Sequence, residues 1–227
     1  MFTGLIEHVG VVLSVSRTAE GKRFRVDLGP LRSECRPGDS VAVDGVCLTA
    51  TDFDDGAALF DAVPETLRRT TLGGIAAGAR VNLELPVRAG KPFGGHFVLG
   101  HVDGVGVVER TEHSGGEHLW HIAFDKGLEP LLVEKGSVAV DGISLTVARL
   151  RPGIMTLALI PTTLARTALR LKKAGDKVNI ECDVLGKYVL KAMAPWLRAA
   201  PASVEGDAGG SGRPTSLSEE TLRSWGF

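Results

Sequence analysis

Residues 41–50 read VAVDGVCLTA, and residues 138–147 read VAVDGISLTV. Seven of the ten positions are identical at a spacing of 97 residues, and one change alters the chemistry: Cys47 becomes Ser144, a thiol replaced by a hydroxyl. Outward from this phrase the repetition continues. PETLRRT at 64–70 answers PTTLART at 161–167, and GARVNLE at 78–84 answers GDKVNIE at 175–181. VGVV at 9–12 answers VGVV at 105–108, here at a spacing of 96. A near-constant spacing with so few gaps describes two copies of one domain. Two copies are too few for a solenoid, so each must close its own core.

Each copy reads as β. Val81, Leu83 and Leu85 alternate with Asn82 and Glu84, as a half-buried strand requires, and Val178, Ile180 and Cys182 repeat the pattern. Gly and Pro punctuate the chain often, and the repeated Asp-Gly is a turn signal. Many short strands in so few residues predict a small sandwich or barrel in each copy. A short helix or turn fits the segment after each Pro-x-Thr-Leu. From Tyr188 onward, Val189, Leu190, Met193, Trp196 and Leu197 sit at helical spacing, with Pro195 expected to kink the helix or mark its last turn. Residues 199–215 are small, polar and rich in Gly and Pro, the composition of a flexible linker. The chain then closes on SLSEETLRSWGF, where Ser216 or Ser218 suits a helix cap.

Bulk properties narrow the function. Apolar residues make up 44% of the 227 positions, and the formal net charge is −1. A near-neutral chain lacks the basic surface that nucleic-acid binding needs. No apolar run approaches the roughly 20 residues of a membrane span, and MFTGLIEHVG has no basic secretory leader. Three cysteines with no CxxC fit a reduced, cytoplasmic protein. Neither a Gly-rich phosphate loop nor an HExxH is present. His96 and His101, five apart, lack the supporting Cys or carboxylate ligands of a metal site, so no metal is expected.

The candidates for chemistry come from the repeat. Ser40, Cys47 and Thr49 stand where the second copy has Ser137, Ser144 and Thr146. Cys47 and Thr49 are two apart and share a strand face, as do Ser144 and Thr146. Such residues often bond to backbone at a strand end, but their duplication after the same Asp-Gly suits a matched pair of ligand pockets. His101, in GGHFVLGHVDG, answers Leu5. A histidine carried by one copy alone is not a requirement of the fold, and its titration range suits acid–base work. Cys182 is expected in the core and Cys35, beside Arg36 and Pro37, in a loop.

Six motifs in order, MFTG, GVCLT, GGHFVLGHVDG, DGISLT, IPTTL and VNIECDVLGKY, resemble the riboflavin synthase family over residues 1–197. The resemblance implies an all-β fold: two tandem six-stranded Greek-key barrels, 1–96 and 97–186, and a C-terminal trimerisation helix at 187–198. It implies a homotrimer and no cofactor. The implied reaction uses two molecules of 6,7-dimethyl-8-(1-D-ribityl)lumazine per site. One gives a four-carbon unit to the other, yielding riboflavin and 5-amino-6-(D-ribitylamino)uracil. Two similar pockets that differ in detail suit two copies of one molecule in different roles.

The family's site lies between the N-terminal barrel of one subunit and the C-terminal barrel of its neighbour. Carried over, the first pocket is expected to use Gly4, Leu5, Ile6, Cys47, Leu48 and Thr49, with Asp61, Ala62, Val63, Pro64, Glu65 and Thr66. The second is expected to use Gly100, His101, Val102, Lys135, Ser144, Leu145 and Thr146, with Ile160, Pro161, Thr162, Thr163, Leu164 and Ala165. Phe2, Thr3, Ser40 and Asp183 match positions tied to the active site. His101 is the expected proton-transfer group, assisted by Ser144 and Thr146, with Cys47 or a water acting at C7 of the partner substrate. The rivals are a non-catalytic lumazine- or flavin-binding protein on the same scaffold and a flavin-binding barrel of a reductase, for whose nucleotide domain no residues remain. Residues 216–227 read either as a docking peptide for the shell of lumazine synthase or as an end that packs back on its own barrel.

Overall fold

The computed structural model describes residues 1–114 and 117–199. Met1–Lys191 form one compact unit, and a second unit begins at Ala192. Two barrels fill the first unit. The first comprises β1 (His8–Thr18), β2 (Gly21–Asp27), β3 (Ser40–Val43), β4 (Val46–Asp54), β5 (Ala57–Ala62) and β6 (Arg80–Glu84). The second comprises β7 (Gly104–Ser114), β8 (Glu117–Ala123), β9 (Ser137–Val140), β10 (Ile143–Arg151), β11 (Ile154–Leu159) and β12 (Lys177–Cys182). Both close with antiparallel pairing in the same cyclic order, β1-β2-β5-β4-β3-β6 and β7-β8-β11-β10-β9-β12. Even the irregularities recur: register shifts at Val12/Ser14 and Ala50/Asp52 return at Val108/Arg110 and Val147/Arg149.

The opening phrase is a hairpin. Asp44 (φ 45°) and Gly45 (φ 76°) take the left-handed conformation at both central positions, as do Asp141 (φ 45°) and Gly142 (φ 79°). That geometry matches the twist of the flanking strands and selects Asp-Gly. It also brings the two turns together. A Cβ on Gly45 would lie 2.5 Å from the Gly142 nitrogen, so the barrels touch backbone to backbone here. Past the turn, Val46, Leu48 and Ala50 point into the first core and Ile143, Leu145 and Val147 into the second. Cys47 and Thr49, like Ser144 and Thr146, therefore stand on the outside of their barrels.

The alternation of β6 and β12 means something other than expected. Asn82, Glu84, Asn179 and Glu181 are all at most 3% exposed. Their face is covered by the other barrel and by the segments that lead into each barrel, not by solvent. The Asn82 amide donates to the Asp141 carbonyl at 2.9 Å, and the Asn179 amide donates to the Asp44 carbonyl at 2.8 Å. Their side-chain oxygens accept from Ala168 and Thr71, so each asparagine is used on both sides of the joint.

Each barrel carries a short helix after its fifth strand, α1 (Pro64–Arg69) and α2 (Pro161–Arg166), with Pro in the first turn. Helix α3 spans Val184–Ala199, so it starts before the expected residue 187. Asp183 accounts for the early start: its Oδ1 accepts from the Leu185 backbone N–H at 3.0 Å, the bond a helix cap makes. Cys182 is in the core, and burial pushes its thiol up to about 12. Cys35 follows a 3-10 turn in a connection, yet it is 2% exposed and packs in the first core. Among the described residues no helix is long and apolar enough to cross a membrane. The expected linker beyond Ala199 and the docking peptide at 216–227 lie outside the described residues.

Candidate active site

The segments leading into each barrel cross over. Phe2 and Val98 occupy equivalent places in the two copies, and they pair with each other: Phe2 N–H to Val98 O at 2.7 Å and Val98 N–H to Phe2 O at 3.1 Å. With Ala42 and Ala139 they form a small apolar cluster, against which Cys47 packs. Just beyond this pair each segment lies on the other barrel. The Ser144 N–H donates to the Gly4 carbonyl at 2.8 Å, and the Cys47 N–H donates to the Gly100 carbonyl at 2.9 Å. Close approach demands glycine at both places. A Cβ on Gly4 would lie 2.6 Å from the Ser144 Cβ, and one on Gly100 would lie 2.4 Å from the Cys47 Cβ.

This crossing regroups the expected pockets. Cys47 shares its cavity with Gly100, His101 and Val102, and with Glu65, Thr66, Arg69 and Thr70 of the α1 region. Gly4, and with it the segment that carries Leu5, lies against Ser144 instead. The expected sets placed Gly4, Leu5 and Ile6 with Cys47, and Gly100, His101 and Val102 with Ser144. The thiol and the imidazole that distinguish the copies thus face one pocket. Neither assignment is visible in local sequence, because the contacts join residues roughly 50 to 140 positions apart.

Two buried glutamates hold the crossing segments. Glu84 accepts from Thr3 N–H at 2.6 Å, Thr3 Oγ1 at 2.7 Å and Gly4 N–H at 2.9 Å. Glu181 accepts from Leu99 N–H at 2.7 Å and Gly100 N–H at 2.9 Å. Burial pushes both carboxyls up, against these donors. Thr3 therefore serves as part of this clamp. The sequence carried a signal for the glutamates, since Val-Asn-x-Glu recurs in both copies, but it read as a solvent face.

Other expected residues fall in several places. Ser40 pairs across the hairpin with Thr49, and Ser137 with Thr146, on the outer faces beside Cys47 and Ser144. Leu48 and Leu145 are buried core residues, so only their backbone faces the pockets. Asp61 lies apart from Cys47: its carboxylate holds Arg23 through bonds of 2.7 Å and 2.7 Å, and that hydrogen-bonded guanidinium lowers its pKa. Ala62 is buried, whereas Val63 is 55% exposed. Glu65 pairs with Arg68 and Arg69 along α1 at the rim of the Cys47 cavity. On the second barrel Ile160 is 62% exposed, Pro161, Thr162 and Ala165 are exposed, and Thr163 and Leu164 are half-buried. Lys135 holds a left-handed φ of 67° where the first copy has Gly38 at 92°. A lysine kept in glycine's conformation marks a strained position of the kind found at functional sites. Its Nζ donates to the Ala148 carbonyl at 3.0 Å, on the strand that carries Ser144 and Thr146. Asp183 caps α3.

Sequence reasoning missed one side chain altogether. His96 is 8% exposed, and its Nδ1 lies 2.8 Å from the Ser144 Oγ. In the sequence it stands out only beside His101, as a candidate metal ligand.

The lumazine binding domain family matches this chain twice, over residues 3–86 and 99–183. The riboflavin synthase of Bacillus subtilis (strain 168) is 40% identical over 191 residues, covering 84% of this chain and 89% of the relative. That of Schizosaccharomyces pombe is 38% identical over 208 residues, covering 89% of this chain and 100% of the relative. The chain belongs to the riboflavin synthase family. Among solved structures, LumP complexed with riboflavin superposes with a TM-score of 0.74 at 22% identity, covering 80% of this chain and 99% of LumP. At that identity the likeness speaks for the fold, and the double barrel is that of the riboflavin synthase family's lumazine-binding repeat.

Proposed function

We propose that this chain binds one lumazine beside Cys47 and one beside Ser144. It moves a four-carbon unit between 6,7-dimethyl-8-(1-D-ribityl)lumazine molecules, giving riboflavin and 5-amino-6-(D-ribitylamino)uracil. The observation that carries this reading is that both copies keep an outward polar pair beside a crossing segment that leads into the other barrel. LumP, solved with 6,7-dimethyl-8-(1'-D-ribityl) lumazine, is 21% identical, against 38–40% for the curated riboflavin synthases of B. subtilis and S. pombe. A protein that only binds needs one good pocket.

The substrate supplies much of the reactivity. Loss of a 7-methyl proton gives an anion delocalised into the ring, and a nucleophile at C7 primes the partner molecule. His101 and Cys47 line one cavity, so a ring bound there contacts both side chains. Holding two rings in attack geometry is worth roughly 7–11 kcal/mol, and a placed proton-transfer group adds about 10²–10⁴-fold.

The complete site is intersubunit, in a homotrimer: the Cys47 pocket of one chain faces the Ser144 pocket of a neighbour. Exposed apolar side chains support this, with Leu5 at 49%, Val63 at 55% and Ile160 at 62%. Tyr188 (68%) and Val189 (56%) on α3 offer a face for trimerisation. Truncation after Lys187 is expected to dissociate the trimer and lower turnover; a truncated, fully active monomer would refute the intersubunit site.

Incubation of the purified protein with the lumazine tests the reaction. Two molecules consumed per riboflavin formed, with one pyrimidine released, is the expected balance. Binding without consumption would leave the non-catalytic reading.

A further inference from the structure

A cavity of about 620 Å³ opens where the two barrels meet, and neither Cys47, His101 nor Ser144 lines it. Its walls come from equivalent parts of the two copies. Arg80, at the start of β6, lines it from the first barrel, and Lys177, at the start of β12, lines it from the second. These two residues answer each other at the spacing of 97. The turns after α1 and α2 contribute in the same way: Thr71, Gly74 and Ile75 are matched by Ala168, Leu171 and Lys172.

The charges in this cavity are unbalanced. Four cations line it, Arg68, Arg80, Lys172 and Lys177, against two carboxyls, Asp44 and Asp176. Asp44 is 4% exposed, and burial raises its carboxyl, which weakens its opposition to an anion. Asp176 is turned to its own loop, where its Oδ2 accepts from the Lys173 N–H at 2.8 Å. Arg68 pairs with Glu65, and Lys172 pairs with Asp141. Arg80 and Lys177 make no ion pair among the described residues, and both are exposed at the cavity. One guanidinium and one ammonium, from different barrels, therefore have charge to offer at a single place. Leu67, Ile75 and Val105 give the same cavity a half-buried apolar wall. A space of this size, with apolar walls and a few placed polar groups, suits a small organic ligand. Arg and Lys side chains are the usual partners of phosphate.

We propose that the joint cavity is a second ligand site, for an organic diphosphate of the nucleoside diphosphate class. Its phosphates lie between Arg80 and Lys177, and its heterocycle lies on Leu67, Ile75 and Val105. One ligand then touches both barrels, so binding stabilises their docked arrangement by mass action. The site stands apart from the lumazine reaction proposed above and does not depend on it.

ADP without added metal is the probe, followed by titration calorimetry and thermal unfolding of the full chain at low salt. ADP is expected to bind and to raise the Tm. Inorganic pyrophosphate should bind about tenfold more weakly, because it lacks the heterocycle, and adenosine should give no detectable binding. Arg80→Gln combined with Lys177→Gln should weaken ADP at least tenfold and leave lumazine turnover unchanged. Gly74→Glu makes a second test that keeps both cations. A Cβ there meets nothing within 4 Å, and the second copy carries Leu171 at this place, so the side chain fits and its carboxylate opposes the phosphates. Cys47→Ser, in the other cavity, should bind ADP as the wild type does. Absence of ADP binding, equal binding of adenosine or pyrophosphate, or wild-type affinity in the double variant or in Gly74→Glu would overturn the proposal. Loss of ADP binding in Cys47→Ser would place the nucleotide in the lumazine pocket and overturn it as well. Displacement of ADP by sulfate at matched ionic strength, with equal affinity, would reduce the site to a general anion patch and count against it equally.

Discussion

Phe2 and Val98 exchange two backbone hydrogen bonds, of 2.7 and 3.1 Å, although they are equivalent residues of two different barrels. Both are completely buried. Such a pair straddles the axis relating the copies and fixes both crossing segments at once. Phe2→Ala is therefore expected to cost about 3–5 kcal/mol in urea denaturation. It should also lower turnover more than heat stability alone explains, because Gly4 and Leu5 follow directly. Unchanged activity in a destabilised protein would separate the joint from the site.

Cys47 and His101 line one cavity, so their contributions should couple. His101→Ala is expected to reduce turnover more than tenfold and Cys47→Ser more mildly. The double variant should fall short of the product of the two effects, since contacting residues are not additive. Strict multiplicativity would mean that they act on different substrate molecules.

The clamp by Glu181 makes a third test. Glu181→Leu releases the Leu99 and Gly100 N–H groups immediately before His101. Loss of a buried acceptor for two donors is expected to cost roughly 2–5 kcal/mol of stability and most of the activity. Glu181→Gln keeps one acceptor and should lie between. Full activity in the Leu variant would show that His101 is held by other means.

Two buried carboxyls at the barrel joint share one cation. Lys172 Nζ lies 3.1 Å from Asp141 Oδ2, and the first copy has Ile75 at the matching position. Burial raises both carboxyls, Asp44 further than Asp141, whose ion pair with Lys172 offsets part of the cost. Burial lowers Lys172, but Asp141 and Asp44 raise it more. A carboxyl raised in the folded state holds its proton more tightly than in the unfolded chain, so its ionisation removes stability as pH climbs between the two values. Lys172→Ile lifts Asp141 further. The variant should be less stable by roughly 3–5 kcal/mol at pH 8, and the gap should narrow as the pH falls and the raised carboxyls take up protons. A gap independent of pH would mean that Lys172 acts through packing alone.

Much of the fold was legible. The repeat gave two domains, the alternation gave strands, and Asp-Gly gave the hairpin that turns Cys47 and Ser144 outward. The joint was not legible, because buried polar residues such as Asn82 and Glu84 alternate as solvent-facing ones do. Which segment meets which pocket depends on contacts such as Gly100 with Cys47, formed only once both barrels have closed and docked. His96 carried no repeat to flag it, since it lies in the connection between copies.

A crystal structure with riboflavin bound tests the crossed pockets most directly. The flavin ring over Cys47 should also contact His101 of the same chain, and a ring beside Ser144 should contact Leu5. A ring that touches Cys47 together with Leu5, with His101 turned to a different ligand, would contradict the arrangement.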